Sequence, residues 1–282
     1  MSIQKDCMTI DIHVGMWLGY KLDKAKTKEV TSEAGAADDA ARVNKHLMPR
    51  ESLSKVVSKV SGVRNHFHKN TLPWKDSGSR LITRKRYTPF MEEHVKLRDE
   101  FNVEVEEFLT NKYLAARDQA EFRMGSLFDP DDYPSAEMLK RKFYVSFDID
   151  AIGDAYDDRL DKSEDITQAR ITKAVQGLWE KLSKPLEHFA NKMGDTEAVF
   201  RDTTVSNLRD IVTMLPELNF TGDPELTALG ERIEKTLTRY EAKDLRTNPV
   251  TRKAVASEAQ EILDSMAGYM NAFGGQSDDT GT

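Results

Sequence analysis

The chain has 282 residues, of which 32% are charged and 39% hydrophobic, and its formal net charge is -7 at pH 7. This length supports one large domain or two modest ones with a substantial core. The single cysteine, Cys7, excludes an intramolecular disulfide framework. No signal pattern and no apolar run long enough to span a bilayer is present, which predicts a cytoplasmic protein without a membrane partner.

Two segments alternate between apolar and polar residues, which is the pattern of a half-buried strand. The first places one set of apolar side chains on a common face: Met8, Ile10, Ile12, Val14 and Met16. The second does the same with Phe143, Val145, Phe147 and Ile149. No other segment shows the pattern clearly, so we expect an antiparallel pair that ties the N-terminus to the middle of the chain and packs on helices.

Helical spacing dominates between these two strands. We expect one helix over residues 31–47 and a second over residues 51–68. A third is expected to begin at Thr88, a capping residue followed by a proline, and to run to about residue 124. A short turn of helix is expected to start at Ser135 before the second strand.

Beyond an acidic connector at residues 153–165 the pattern predicts helices only. A long apolar stripe extends from residue 171 to 193, and Pro185 is expected to kink or divide that helix. Three more helices are predicted, over residues 204–215 up to Pro216, from Asp223 to about residue 240, and from residues 247–249 onward. The tail at residues 273–282 is expected to be disordered.

The predicted fold class is therefore mainly α (α+β), with a small antiparallel two-stranded β element and a C-terminal helical hairpin or bundle. The predicted division places an α+β region with a basic loop at residues 1–160 and a helical region at residues 161–272. The long amphipathic helices, with their coiled-coil character, further predict a homo-oligomer.

Charge is segregated along the chain. Residues 41–90 hold twelve lysines and arginines against two acids, a net +10, which leaves -17 for the remainder. Such segregation indicates a directional field. Aromatic residues are interleaved with these cations, a composition typical of proteins that bind single-stranded nucleic acid. The predicted nucleic-acid-binding residues are Lys69, Trp74, Lys75, Arg80, Arg84, Lys85 and Arg86.

Two other interpretations of this segment stay open. In the first, Leu72, Trp74 and Leu81 form a hydrophobic plug, and the cations pair with the acidic helix that follows. In the second, the cations dock a protein partner.

Two patterns bear on catalysis or metal binding. Asp148 and Asp150 end the second strand with a D-x-D sequence, and paired carboxylates suit Mg²⁺. No βαβ series surrounds them, so we expect a solvated acidic strand end rather than a Mg²⁺-dependent hydrolase. His66 and His68 are two residues apart, which places them on different faces of a helix. Since nucleotide-binding and metalloprotease motifs are also absent, we expect neither an enzyme nor a metal or cofactor.

An ordered set of motifs resembles an uncharacterised family of bacterial and phage proteins. The set consists of NTLPWKDSGSRLI, then Tyr87 and Met91, then FRMGSLFDPDDYPSAEMLKRKF. The family pattern is TLPW, a polar turn, RLL, a long helix, LG before LF, DYP and a final KF strand, and the match covers roughly residues 5–160. This chain departs mildly from it at residues 124–128, where it has MGSLF. The resemblance implies a product of phage or mobile-element operons, sometimes encoded beside AAA+ ATPases of the MoxR/CobS type.

The expected function is an accessory protein of DNA metabolism that binds nucleic acid weakly through residues 55–90. The alternative is a non-catalytic adaptor for an AAA+ ATPase partner, and a Mg²⁺-dependent hydrolase at the D-x-D strand end is a third. The family has no established catalytic residues to carry over. Within the shared motif, we expect Pro73 and Trp74 to anchor a turn, Gly78 to permit the reversal, and Arg80 to bond a carbonyl or carboxylate.

Overall fold

The computed structural model describes residues 3–152, 163–195 and 197–274. The first part of the chain contains both helices and short strands. In order they are α1 (Ile3–Asp6), β1 (Cys7–Gly15), β2 (Tyr20–Leu22), α2 (Lys24–Glu33), β3 (Asn44–His46), α3 (Ser54–Asn70), β4 (Leu72–Pro73) and β5 (Arg80–Thr83).

The remainder of the described chain is mostly helical. In order its elements are α4 (Arg84–Glu107), a π-helical segment (Phe108–Tyr113), α5 (Leu114–Asp118), α6 (Ala120–Met124), α7 (Ala136–Lys140), β6 (Tyr144–Ala151), α8 (Ser163–Gly194), α9 (Thr203–Leu218), α10 (Pro224–Thr236), α11 (Ala242–Thr247) and α12 (Pro249–Gly274). None of the described helices combines the length and apolar character that crossing a bilayer requires.

Four strands form a small antiparallel sheet in the order β4-β5-β1-β6, and β2 pairs with β3 in a separate antiparallel ribbon. In the sheet, Cys7 lies opposite Thr83, and Leu72 lies opposite Leu81. The two predicted strands, β1 and β6, are neighbours as expected, and β4 and β5 extend the sheet beyond that pair. The predicted fold class, mainly α with a small antiparallel β element and C-terminal helices, is confirmed.

The chain forms two compact units. The terminal unit is drawn from Met1–Asp11, Asn70–Thr88 and Ile149–Thr282, and the central unit from Ile12–Lys69 and Pro89–Asp148. The C-terminal helices therefore share a unit with segments from the first ninety residues. The boundary predicted near residue 160 lies outside the described residues and stays a prediction. Of the tail predicted to be disordered at residues 273–282, residues 273 and 274 belong to α12, and the rest lies outside the described residues.

The core of the terminal unit is built mainly by α8, α9, α10 and α12. Trp179 on α8 is buried and stacks on Tyr269 of α12, with ring centroids 5.3 Å apart. The Tyr269 hydroxyl donates to Glu225 Oε2 at 2.9 Å. Arg252 on α12 is also buried and donates to the carbonyls of Lys192 (2.7 Å), Met193 (3.3 Å), Asp195 (2.5 Å) and Ala198 (2.9 Å). The bonds to Lys192 and Met193 satisfy carbonyls in the last turn of α8, and those to Asp195 and Ala198 hold the segment that follows it.

The core of the central unit surrounds Trp17, whose ring meets that of Tyr113 edge-on at 5.5 Å. The Tyr113 hydroxyl donates to the carbonyl of Pro134 at 2.5 Å. Tyr133, which precedes Pro134 in the DYP motif, donates a hydrogen bond from its hydroxyl to the carbonyl of Leu47 at 3.0 Å. Both hydroxyls thus find a partner inside the core, as buried tyrosines generally require.

An ion triad lies beside this core. The carboxylate of Asp132 is buried and pairs with the ammonium groups of Lys21 and Lys45. Burial alone raises the pKa of Asp132, but the two lysines outweigh burial and lower it below its usual value. The triad therefore depends on the ionised carboxylate, because its removal would leave two ammonium groups without a counter-charge.

Several helix limits differ from the predictions. The helix expected over residues 31–47 is wrong, because α2 ends at Glu33 and residues 44–46 pair with β2 as a strand. The helix expected to begin at Thr88 begins at Arg84, because Thr83 Oγ1 accepts a hydrogen bond from the Arg86 amide at 3.2 Å and caps the helix earlier.

Other predicted limits are confirmed or shifted slightly. Asp223 caps α10 by accepting from the Glu225 amide at 2.9 Å, and Ser135 caps α7. Pro216 does not end α9, which continues to the fully buried Leu218. Pro185 lies within α8 and does not divide it. The β2–β3 ribbon and α11 were not predicted.

Candidate nucleic-acid interface

The predicted nucleic-acid-binding residues fall in both compact units. Lys69 lies near the end of α3 in the central unit, and the other six belong to the terminal unit. Residues 70–88, from which those six come, form β4, the turn between β4 and β5, β5 itself and the first residues of α4.

The base-stacking role predicted for Trp74 needs correction. Its side chain is only 3% exposed and belongs to the hydrophobic core of the terminal unit. Phe67 and Phe90, which the sequence interleaves with the cations, are buried as well. Because stacking on bases requires an accessible ring face, these residues do not supply one. The alternative interpretation of Trp74, a hydrophobic plug beneath the turn, is the one that the structure supports.

The three arginines of this region bond to the protein itself. Arg80 donates to Thr71, at 2.6 Å to the hydroxyl and 2.9 Å to the carbonyl, as expected for the motif. Arg86 donates to Asn70 Oδ1 at 2.6 Å and pairs with Glu217 at 2.9 Å. Arg84 remains exposed, although its Nε donates to the Lys5 carbonyl at 2.6 Å. Arg80 and Arg86 therefore stabilise the fold, because most of the bonding capacity of their guanidinium groups is used within the protein.

Lys75 and Lys85 have a different environment. Both side chains are exposed, and neither forms a hydrogen bond or ion pair with a described residue. Gly78 closes the turn after Lys75 with a φ of 105°, a backbone conformation that favours glycine, as the motif predicts. Of the six residues in the terminal unit, these two lysines are thus the most available for a ligand.

The residues considered for catalysis or metal binding lie apart from the cations. Asp148 and Asp150 are both exposed on β6, and Asp148 accepts a hydrogen bond from His13 Nε2 at 3.1 Å. His66 donates to the carbonyl of Phe90 at 3.0 Å. Among the residues that the structure describes, no group of three or more His, Cys, Asp or Glu is placed to hold a metal ion. The further aspartates after Asp150, at 154, 157 and 158, lie outside the described residues.

Within the basic segment, α3 is a helix without carboxylates. This helix has 17 residues, contains neither Asp nor Glu, and spans about 25 Å at 1.5 Å per residue. One side faces the interior through Val56, Val60, Val63 and Phe67. The remaining, solvent-exposed surface of the helix, which we call the α3 face, carries Ser54, Lys55, Val57, Ser58, Ser61, Arg64, Asn65, His68 and Lys69, with Lys55 and Arg64 on its two opposite flanks.

The α3 face combines cations with small polar residues. Lys55, Ser58, Asn65 and Lys69 follow one another in steps of three, seven and four residues, so they form one stripe along the helix. Gly62 lies within that stripe, and a methyl group placed there would meet nothing within 4 Å. Lys55, Ser58, Arg64 and Asn65 make no side-chain hydrogen bond or ion pair with any described residue. The face therefore presents free donors on a surface that a large ligand can approach closely.

Lys59, four residues after Lys55, lies at the edge of this face and is partly buried. Lys59 Nζ pairs with Glu100 of α4 at 2.7 Å, which raises the pKa of Lys59 through that hydrogen bond. This pair is an instance of the predicted interaction between the basic segment and the acidic helix, at that edge of α3. Sequence reasoning named Lys69 alone from the α3 face. The absence of acids from residues 54–70 was the available signal for Lys55 and Arg64.

Comparison with protein-family models, with curated proteins and with solved structures finds no match in any of the three.

Proposed function

We propose that this protein binds nucleic acid weakly and without catalysis, through phosphate contacts from the α3 face. The observation that carries the proposal is a helix without Asp or Glu whose exposed surface has on each flank a cation unpaired within the described part of the chain, Lys55 and Arg64, although the net charge is -7. Lysine and arginine neutralise phosphates, and serine and asparagine donate hydrogen bonds to phosphate oxygens or base edges. An accessory role in DNA metabolism, as the motif resemblance implies, is compatible with such binding.

The number and kind of contacts determine the expected salt dependence, affinity and preference between duplex and single-stranded DNA. Two or three cations on the α3 face contact at most about three phosphates, so the logarithm of affinity should fall with the logarithm of salt with a slope of about -2 to -3. The negative charge of the remaining chain opposes association and keeps binding weak. Because Phe67, Trp74 and Phe90 are buried, duplex and single-stranded DNA should bind comparably through their backbones.

The direct test is fluorescence anisotropy of labelled duplex and single-stranded DNA across a salt series. The variant Lys55→Ala/Arg64→Ala should lose affinity at low salt, and its salt slope should be flatter by about 2. The matched control is Lys184→Ala/Lys235→Ala, which removes two exposed cations from α8 and α10 with the same change in net charge. An equal loss in both variants, or no binding by the wild type at low salt, contradicts the proposal.

A second candidate function rests on an apolar groove in the central unit. The groove encloses about 390 Å³, and it is lined by Met16, Leu18, Gly19, Tyr20, Asn44, His46, Met48, Pro49, Arg50, Leu53 and Val57. Leu18 is 51% exposed and Tyr20 43% exposed. Exposed apolar side chains around a concave surface are typical of protein docking sites, which favours the adaptor function, either toward an AAA+ ATPase or toward a second copy of the chain.

This second candidate predicts a different salt dependence. Docking in an apolar groove should change little with salt, in contrast to phosphate binding. Sedimentation equilibrium measures association between copies, and titration with a purified MoxR/CobS-type ATPase measures the other partner. The variant Leu18→Glu should abolish either association and leave DNA binding unchanged. Wild-type protein that stays monomeric and does not bind the ATPase excludes the adaptor function.

A further inference from the structure

A second basic site lies in the terminal unit, between the turn that follows β4 and the helix α8. It is a groove of about 400 Å³, which we call the turn groove. Its walls are formed by Trp74, Lys75, Asp76 and Ser77 from the turn, and by Ile166, Ala169, Arg170 and Lys173 from α8. Segments that are about ninety residues apart in sequence thus bring three cations to one cavity.

The charges in the turn groove are unbalanced. Lys75, Arg170 and Lys173 face a single carboxylate, that of Asp76. Lys173 forms an ion pair with Asp76, although the Asp76 side chain is 98% exposed. The hydrogen bond from Lys173, its charge and that of Arg170 lower the pKa of Asp76. Arg170 and Lys75 form no hydrogen bond or ion pair with any described residue. After the Asp76–Lys173 pair is counted, the positive charges of Lys75 and Arg170 in the groove therefore have no counter-charge among the described residues.

Both walls of the groove are held in place by the fold. On one side, Trp74 is buried and the Lys75 amide donates to the Ser79 carbonyl at 3.0 Å, which closes the turn. Ser79 Oγ in addition donates to Asp11 Oδ2 at 3.0 Å. On the other side, α8 approaches β4 so closely that Gly177 lies directly over the ring of Pro73. The two backbone segments that carry the cations are therefore held at a fixed separation, so a ligand does not have to order them on binding.

We infer that the turn groove binds a phosphate group, and that Asp76 occupies the groove as an internal competitor when no ligand is bound. A phosphate group carries up to two negative charges and three strong acceptor oxygens, whereas Asp76 offers one charge. It can engage Lys75, Arg170 and Lys173 together, and Ser77 can donate a further hydrogen bond. The Asp76–Lys173 pair is exposed to solvent, and pairs of this kind are weak enough to be displaced.

The proposal is independent of the α3 face, which belongs to the other compact unit. The phosphate group has two possible sources, a small phosphorylated molecule or the backbone of a nucleic acid. The test begins with isothermal titration of inorganic pyrophosphate into the full chain. Wild-type protein should bind it, and Asp76→Asn should bind it up to about fivefold more tightly, because the competing carboxylate charge is gone.

Removal of a cation from the turn groove should weaken pyrophosphate binding. Arg170→Ala and Lys75→Ala should each weaken pyrophosphate binding by about tenfold, since a charge-assisted hydrogen bond is lost. Lys184→Ala is the matched control, because Lys184 lies on the same helix, is exposed and pairs with Glu180 outside the groove. The variant Lys55→Ala/Arg64→Ala should bind pyrophosphate like the wild type, which separates this test from that of the proposed function. Circular dichroism checks that each variant is folded.

A parallel titration with a short oligonucleotide, in the Lys55→Ala/Arg64→Ala background, distinguishes the two sources. Residual oligonucleotide binding that Arg170→Ala abolishes assigns the groove to backbone phosphates. Pyrophosphate binding without residual oligonucleotide binding assigns it to a small phosphorylated ligand. The proposal is overturned if neither the wild type nor Asp76→Asn binds pyrophosphate, or if Lys184→Ala weakens binding as much as Arg170→Ala.

Discussion

The contact between α8 and β4 should make Gly177 intolerant of alanine. A Cβ atom on Gly177 would lie 2.5 Å from Pro73 Cγ and closer still to Cδ. These atoms belong to a rigid ring on a sheet strand, so relief requires α8 or β4 to move. Such overpacking costs about 1–3 kcal/mol. Alanine also favours the helical state over glycine by about 1 kcal/mol, which offsets part of that cost.

The clash should outweigh the helical preference, so Gly177→Ala should lower the free energy of unfolding by about 1 kcal/mol. Gly268→Ala is the matched control, because Gly268 lies within α12 of the same unit and a Cβ there meets nothing within 4 Å. That variant should be more stable than the wild type by about 0.5–1 kcal/mol. Urea unfolding followed by circular dichroism measures both changes. A Gly177→Ala protein as stable as Gly268→Ala would refute the close packing of α8 on β4.

Three further predictions concern buried polar groups. Asp132→Asn should destabilise the protein by about 3 kcal/mol in urea unfolding, because Lys45 then keeps a largely buried charge without a counter-charge; an unchanged midpoint would contradict the triad. Arg252→Lys should lower stability by about 2 kcal/mol, since an ammonium cannot reproduce the fork of bonds to the carbonyls at the end of α8; full stability would show that these bonds are dispensable. Burial, His66 and Arg98 lower the pKa of His94 below its ordinary 6.5, so the unfolded chain takes up a proton that the folded one excludes. Stability should therefore fall as pH decreases below 6.5, by up to about 1.4 kcal/mol per pH unit, and His94→Leu should flatten that slope; identical pH profiles would contradict the role of His94.

The predictable parts of the fold are those set by local sequence. Val145, Phe147 and Ile149 alternate with exposed residues along β6, so period two is visible without any knowledge of the partner strand. Asp223 predicts the start of α10, because its capping side chain and the proline that follows both stabilise the first turn of the helix. Strand β5 has only four residues and β4 two, too few to show a period, and β5 joins the sheet by pairing with β1, which is far away in sequence.

The failed helix prediction at residues 31–47 has a local cause that the pattern concealed. Gly35 adopts a φ of 60°, a left-handed conformation that ends α2 just after Glu33. The helix begins earlier than predicted because Asp23 Oδ1 accepts a hydrogen bond from the Lys26 amide at 2.9 Å. Residues 44–46, which were expected to be helical, instead form β3. Their partner strand, β2, precedes α2 in the chain.

The candidate sites show the same division between local and distant information. An exposed aromatic ring in a Pro- and Gly-containing turn is a reasonable expectation from sequence, but α8 and its neighbours bury Trp74. Arg170 and Lys173 join Lys75 only through the packing of α8, so no pattern within either segment could reveal the turn groove. The α3 face, by contrast, was visible in principle, because a helix of 17 residues without a carboxylate stands out in an acidic chain.

The most direct test of the central claim is cross-linking from the α3 face to DNA. Cys7 is fully buried, and burial, with Asp6 nearby, raises the pKa of its thiol to about 12, so it should not compete for a thiol-reactive photo-cross-linker. A cross-linker attached to Ser58→Cys should capture duplex DNA at low salt and lose it as salt rises. The same group at Ser257→Cys, an exposed position on α12, should capture none. Equal capture at both positions, or none at Ser58→Cys, would contradict nucleic-acid binding by the α3 face.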